Sequence, residues 1–491
     1  MDKTKQQQQH VVALALPAQG HLNALMRVCK LLTQQEGFIV TVVDFDLIHN
    51  RVQQLHNSHE AAVKDGPLAA GDGDGDGDRL IRRAHVSVPG IDLSQDFNFS
   101  FRTLFEALLP MGPALLSLIR SLHPPPTCLL ADFTITLPTL DVADQLAIPW
   151  IAVYPFCASR LLLLHYVAQG NLVSMDEVSK ALATSSVQKE LLCEGLPGLP
   201  TLYNIDLPHF KHVRDDSVYI WNLSVQSWKI CNARANSILV NSFDELEASA
   251  FTTLSKICRP PIYAIGPLIG TLHEEYVTSL WREDEACIAW LDQQPTSSVL
   301  YLSFGSITVL SETQFHELLN GLLSSKQRFL WAFRPGLVNG SPSSSTPAYI
   351  MSNSHGRGFV VGWAPQVKVL AHPSVAGFVT HCGWNSIIES IAHGVPMLCW
   401  PYFADQPFNA RCIVEEWKLG LEFEASEQSP SFVRGDEVER AIESLMKGVA
   451  GQVVKKNIDA LKEACHKCLL HNGSSYKNLI TVIGSLNAAK V

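Results

Sequence analysis

The chain is predicted to be an α/β protein made of two Rossmann-like halves, and three observations point there. Its 491 residues are too many for one ordinary core, so two domains of similar size are expected. A composition of 47% hydrophobic and 17% charged residues is that of a globular protein. In both halves short, apolar, β-branched runs closed by Gly, Pro or Asp alternate with helical stretches. That alternation implies parallel sheets, whose ligands gather at the carboxyl ends of the strands.

The net charge of −10 and the absence of any long Lys/Arg block argue against a nucleic-acid partner. No segment reads as apolar enough to span a bilayer, and a monomer in the cytoplasm is expected. Residues 1–16 imitate a short signal peptide. Their apolar run lasts only from Val11 to Leu16, too short for one, and is read as a first strand. The twelve cysteines are scattered without a framework, which suits free thiols in a reducing compartment. Cys465 and Cys468 form a lone C-x-x-C in a helical pattern, without the second pair a zinc site usually needs, so no metal is expected.

Val11–Leu16 ends in Pro17-Ala18-Gln19-Gly20, which places His21 at the mouth of the following helix. A second strand runs from Phe38 to Asp44. The GDGDGDGD repeat at 71–78 matches the start of an EF-hand loop through Asp72, Asp74, Asp76 and Gly77. Arg83 stands where the loop requires a bidentate glutamate, so a solvated surface loop is the better reading. The repeat also fails G-x-G-x-x-G, because each third-glycine position is aspartate. After a helical stretch over 101–122 and the Pro124-Pro125-Pro126 break, Cys128–Ala131 form a strand ending in Asp132. His21 and Asp132 then share one edge of one sheet, where they are able to meet. Trp150–Tyr154 and Ser237–Asn241 are further strands, and Tyr263–Leu268 starts an extended linker.

In the second half a helix over Glu283–Leu291 leads to strand Val299–Phe304 and the small residues Gly305-Ser306. Strands at Phe329–Phe333 and Gly358–Val361 follow. The stretch from Trp363 to Gln406 is the most informative in the chain. An apolar run from Gly377 to Cys382, a Gly383 turn, and a helix opening near Asn385 and stopping at Gly394 bring His381, Asn385 and Ser386 to a helix N-terminus. Such a mouth seats phosphate through unpaired N–H groups and the helix dipole. Asn385 or Ser386 acting as a bare cap is the plainer alternative. Glu389 lies one turn further in, where a carboxylate repels phosphate but accepts hydrogen bonds from a ribose diol. Lys368 is the one basic side chain of the stretch, which contains no arginine, so an anion is expected to be held by dipoles and neutral donors.

This stretch closely resembles the signature box of plant UDP-dependent glycosyltransferases, with W-x-P-Q at its start, H-C-G-W-N-S in its middle, Glu389, and Asp405-Gln406 at its end. The resemblance implies a GT-B fold of two Rossmann-like domains facing across a cleft. Residues 1–255 would bind the acceptor, 256–280 would be a linker, 281–470 would bind the UDP-sugar, and 471–491 would pack back on the first domain. It also implies that Trp363 stacks on uracil beside Ala364 and Gln366, and that Glu389 holds the ribose. His381, Asn385, Ser386 and Ser306 would meet the diphosphate, with Trp384, Asp405 and Gln406 around the sugar. A closing glutamine is associated with glucose, so UDP-glucose is the expected co-substrate, without a further cofactor. P-x-x-G-H after the first strand and Asp132 resemble the family's catalytic pair, though Thr134–Leu137 stand where many members carry a tryptophan.

The activity implied is inverting transfer to a hydroxyl of a small apolar acceptor such as a flavonoid or other phenolic, giving a β-O-glucoside. His21 would act as the base and Asp132 as its orienting carboxylate, since imidazole ordinarily titrates near neutral pH. Gly20, Phe133, Phe156, Ser159, Tyr203, Phe210 and Tyr402 are the candidates to line the acceptor pocket. Attachment to carbon of a phenolic ring and a non-catalytic nucleotide-sugar-binding protein are the alternatives. A nicotinamide oxidoreductase is disfavoured by the missing glycine fingerprint.

Overall fold

The computed structural model describes residues 8–45, 80–88, 101–170, 189–207, 217–270, 280–340, 346–423 and 432–488. The chain forms two compact units, one of Met1–Gln169, Tyr219–Leu280 and Leu469–Val491, the other of Gly170–Val218 and Trp281–Cys468.

In the first unit β1 (Gln9–Leu14), β2 (Phe38–Phe45), β3 (Ile81–Val86), β4 (Cys128–Asp132) and β5 (Trp150–Tyr154) enter one sheet. The chain then makes a small antiparallel pair within the second unit, β6 (Leu191–Cys193) with β7 (Leu202–Tyr203), before returning for β8 (Ser237–Val240) and β9 (Ile262–Ala264). The sheet order is β3-β2-β1-β4-β5-β8-β9, parallel throughout. Its order reverses between β1 and β4, the position at which open α/β sheets leave a crevice at their carboxyl edge. The helix Gln19–Thr33 covers the sheet because Leu22, Leu25, Met26, Cys29 and Leu32 recur at helical spacing and are all buried.

The second sheet takes β10 (Val299–Ser303), β11 (Arg328–Ala332), β12 (Gly358–Val361), β13 (Val375–Thr380), β14 (Met397–Cys399) and β15 (Gly420–Glu422). Its order is β12-β11-β10-β13-β14-β15, again all parallel, with the reversal between β10 and β13. Leu300, Leu302, Phe329, Trp331, Val379 and Leu398 of the strands pack with Phe315, Leu318, Leu322, Val438 and Ile442 of the helices Glu312–Ser324 and Gly435–Lys447 to make its core.

Several expectations need correction. Residues 170–218 cluster with the second unit rather than the first. Part of the expected linker is sheet: Ile262–Ala264 is the edge strand of the first sheet, and the helix Ser474–Ala488 covers that edge. Ser475 Oγ donates to Gly266 O at 2.6 Å and Asn478 Nδ2 to Ala264 O at 2.9 Å. β3 went unread because Arg82 and Arg83 give an edge strand little apolar signal; Arg83 pairs with Asp44 at 2.6 Å. The stretch Phe101–Ser121 is, by length and composition, apolar enough to cross a membrane. In the structure Pro110 lies in a 3-10 turn between two helices, Phe101–Leu108 and Gly112–Ser121, and Leu104, Phe105, Leu108, Leu115 and Ile119 are buried against protein. The aspartate-glycine repeat at 71–78 lies outside the described residues.

Candidate active site

In the first unit the last paired residues of β1 and β4 are Leu14 and Ala131, so the segments leaving both strands emerge side by side at the order reversal. From there His21 enters the first turn of its helix and Asp132 ends β4. His21 Nδ1 lies 2.6 Å from Asp132 Oδ2, with the imidazole partly accessible and the carboxylate 1% exposed. The other oxygen, Oδ1, accepts from the backbone N–H of Thr134 at 2.8 Å and from its hydroxyl at 2.6 Å. A carboxylate held at both oxygens cannot rotate away, so it fixes the ring and leaves Nε2 as the nitrogen that can exchange a proton. In the sequence Thr134 stands out only as a departure from a family pattern. Its position two residues after the strand-end aspartate is the Asx-type signal that would have found it.

Of the seven acceptor-pocket candidates, Phe156 stands edge-on to His21 with ring centroids 5.3 Å apart, and Gly20 forms the same helix start. Phe133 is a core residue instead, 1% exposed and packed on Tyr154 and Trp228. Ser159 is also turned inward. Its hydroxyl donates to Glu247 Oε1 at 2.6 Å, and the same buried carboxylate accepts from Ala158 N, Ser159 N and Ser242 Oγ. Tyr203 belongs to the second unit, its ring 4.2 Å from Lys189 Nζ and 5.4 Å from the Arg411 guanidinium. Tyr402 is also there, beside Phe403. Phe210 lies outside the described residues.

In the second unit β13 delivers His381, Cys382 and Gly383 to the helix Trp384–His393, which a left-handed Gly394 at φ 72° ends. Gly383 is the N-cap, and no side chain caps this helix, so neither Asn385 nor Ser386 plays that part. A glycine N-cap brings no side-chain oxygen of its own to the first-turn N–H groups, an arrangement compatible with an external hydrogen-bond acceptor. β10 meets β13 up to Ser303 and Thr380, which carries Gly305-Ser306 to the same edge as His381. Gly305 has φ +68°, and a Cβ there would lie 2.6 Å from His381 Nε2; one on Gly383 would lie 2.5 Å from it. The imidazole is thus seated against two glycines, Gly305 with a left-handed φ and Gly383 with an ordinary φ of −66° whose missing Cβ leaves room for the ring. Burial, aided by the charge of Arg334 and opposed by a backbone contact, pushes the His381 pKa down to about 4, so the ring is neutral at physiological pH.

One turn further in, Gln366 organises the opposite end of the site. Its Nε2 donates to Ser386 Oγ at 2.9 Å and to Glu389 Oε2 at 2.7 Å, while Tyr301 donates to its Oε1 at 3.2 Å. Burial raises the Glu389 pKa to about 7 against the opposing Gln366 bond, and Glu283 raises it further. Trp363, next to buried Ala364, stacks on Trp281 with centroids 5.6 Å apart and planes 24° from parallel. Asn409 Nδ2 bridges Asp405 Oδ2 at 2.7 Å and Cys382 O at 3.1 Å, tying the helix Gln406–Arg411 to the turn after β13. Gln406 Oε1 accepts from the backbone N–H groups of Tyr402 and Phe403 at 2.9 and 3.0 Å, which leaves its amide nitrogen for another partner. Trp384 is 3% exposed and packs on Trp417, so its indole is not open to a sugar in this structure.

The stretch 363–406 holds no arginine, but one from outside it reaches the Gly305 turn. Arg334, just after β11, donates from Nε to Gly305 O at 3.1 Å and from Nη1 to Pro335 O at 3.0 Å, and Nη2 bonds to Thr308 O. Among the described residues, no group of three or more His, Cys, Asp or Glu side chains is placed to hold a metal ion.

Two Rossmann-like units with chemistry at each strand-order reversal, one of them carrying a glycine-capped helix start one turn from a buried carboxylate, define a nucleotide-sugar transferase of the GT-B class. The comparisons agree. A family model described as "UDP-glucoronosyl and UDP-glucosyl transferase" matches residues 271–468. UDP-glycosyltransferase 85A1 of Arabidopsis thaliana is 33% identical over 97% of this chain and 96% of its own length. A 7-deoxyloganetin glucosyltransferase of Catharanthus roseus is 32% identical over 98% and 96%. Among solved structures, a UDP-glucosyltransferase from Polygonum tinctorium capable of glucosylating indoxyl, in complex with 3,4-dichloroaniline, superposes with a TM-score of 0.78 at 29% identity, covering 99% of this chain and 100% of that one. The chain belongs to the plant UDP-glycosyltransferases, and its co-substrate is a UDP-sugar.

Proposed function

We propose that the protein transfers glucose from UDP-glucose, with inversion, to a hydroxyl of a small apolar acceptor, a flavonoid or other phenolic first among the classes to test. The observation that carries this reading is the 2.6 Å contact between His21 and Asp132 Oδ2, in a carboxylate whose other oxygen is fixed by two hydrogen bonds from Thr134. Asp132 accepts the Nδ1 proton, so His21 Nε2 takes the proton of the acceptor hydroxyl as its oxygen bonds to the anomeric carbon. The bond from that carbon to the β-phosphate oxygen breaks, and its electron pair leaves with UDP. Displacement from the opposite face turns an α-linked donor into a β-glucoside.

The second unit holds the donor in this scheme. Trp363 takes the uracil face, Glu389 the ribose diol, and Ser306, His381, Asn385 and Ser386 the diphosphate at the helix start. Asp405 and the Gln406 amide take the sugar hydroxyls. The names of the relatives favour a glucosyl donor and small organic acceptors, and the free state of all twelve cysteines favours a reducing, cytoplasmic setting.

The test pairs a mass-spectrometric screen of UDP-glucose, UDP-galactose and UDP-xylose against an aglycone panel with the variant His21→Ala. The variant is expected to lose roughly 100-fold or more in turnover, the usual contribution of a positioned base, while UDP affinity stays unchanged. Undiminished turnover of His21→Ala would refute the assignment of the base.

A further inference from the structure

We infer that Arg334 is the counter-charge of the diphosphate and positions the loop that receives it. The inference rests on the donor reading above and adds a residue to it. Arg334 is 7% exposed, and among the described residues no carboxylate lies within ion-pair distance of it. Among the described residues its side-chain hydrogen bonds all go to backbone carbonyls, at Gly305, Thr308 and Pro335. Carbonyl dipoles solvate a guanidinium without cancelling its charge, and an uncompensated buried charge is costly unless a partner arrives.

Burial lowers its pKa to about 10, with Tyr402 opposing, so it remains a cation at neutral pH. That cation sits where an anion is expected. Nε grips the carbonyl of Gly305, the residue whose left-handed turn abuts His381 Nε2, and Ser306 follows directly. The same charge helps keep His381 neutral. A guanidinium fixed in this way attracts a diphosphate through the loop it holds, and the attraction grows as the leaving UDP gains the electron pair. Arg334 is a positioning residue: its N–H groups are engaged by the loop, and its charge acts across it.

The test measures UDP and uridine binding by calorimetry, at low and high ionic strength, for wild type, Arg334→Gln and Arg334→Lys. Arg334→Gln is expected to weaken UDP at least about tenfold and to flatten its salt dependence, with uridine held within about twofold. Arg334→Lys, which keeps the charge and loses the planar fork, should recover part of the UDP affinity. Wild-type UDP affinity in Arg334→Gln overturns the assignment. So does equal weakening of Gln and Lys variants with an unchanged salt dependence, which would leave only loop geometry, or equal weakening of uridine and UDP. A wild-type protein that bound no UDP would overturn the functional reading itself.

Discussion

Donor binding should depend on pH through Glu389. In the unliganded protein burial raises this carboxyl to about 7, against an ordinary value of 4.5, so near neutrality it is about half protonated. A ribose diol donates two hydrogen bonds to the carboxylate, so binding favours the ionised form and releases a proton. If the carboxylate is required, the competent fraction is about a tenth at pH 6 and about nine tenths at pH 8, and donor affinity should rise about tenfold between them. UDP-glucose is the ligand to titrate, because the terminal phosphate of UDP ionises in the same range. Glu389→Gln should bind more weakly and lose the slope. For stability the sign runs the other way: the folded state holds this proton more tightly than the unfolded chain, so stability falls as pH rises from about 4.5 through 7, by an upper bound of about 3 kcal/mol. Calorimetry in buffers of different ionisation enthalpy would count the proton. A pH-independent affinity, or an unchanged slope in Glu389→Gln, would refute the reasoning.

Two further outcomes follow from the geometry. Thr134→Val removes one of the two donors on Asp132 Oδ1, so steady-state kinetics should show turnover lowered at least about tenfold with KM unchanged, the low end for one hydrogen bond to a charged group. Gly305→Ala combines φ +68° with a Cβ 2.6 Å from His381; it should cost about 1–2 kcal/mol in backbone strain alone and weaken UDP binding while far-UV circular dichroism stays unchanged.

Much of this site was legible because α/β sheets put chemistry at the carboxyl ends of strands. His21, Asp132, Ser306 and His381 are each found a few residues past an apolar run, and the sheet orders then place them in pairs at the two reversals. What escaped depends on contacts between residues far apart in sequence. Arg334 belongs to no motif, and only its reach across 29 residues to Gly305 O reveals its place. Ser159 reads as an available hydroxyl until Glu247, 88 residues later, folds beneath it. Phe133 shows the ambiguity of aromatics after a strand, where one residue's shift separates a core face from an open one. β9 reads as linker in the sequence because three residues shortly before a Gly-Pro pair carry too little pattern to register as a strand.

The helix Gln406–Arg411 starts with the glutamine assigned to the sugar and ends in Arg411, which donates from Nε to Asp206 Oδ1 at 2.7 Å with both side chains nearly inaccessible. Chimeras between relatives are naturally cut near residue 281, where the first sheet is complete. Such a cut takes Asp206 from one parent and Arg411 from the other, and a mismatch costs the buried guanidinium its buried partner, leaving it only the half-exposed Glu415 and Glu416. Swapped enzymes should therefore carry residues 189–207 along with the donor half, whatever parent supplies the remainder.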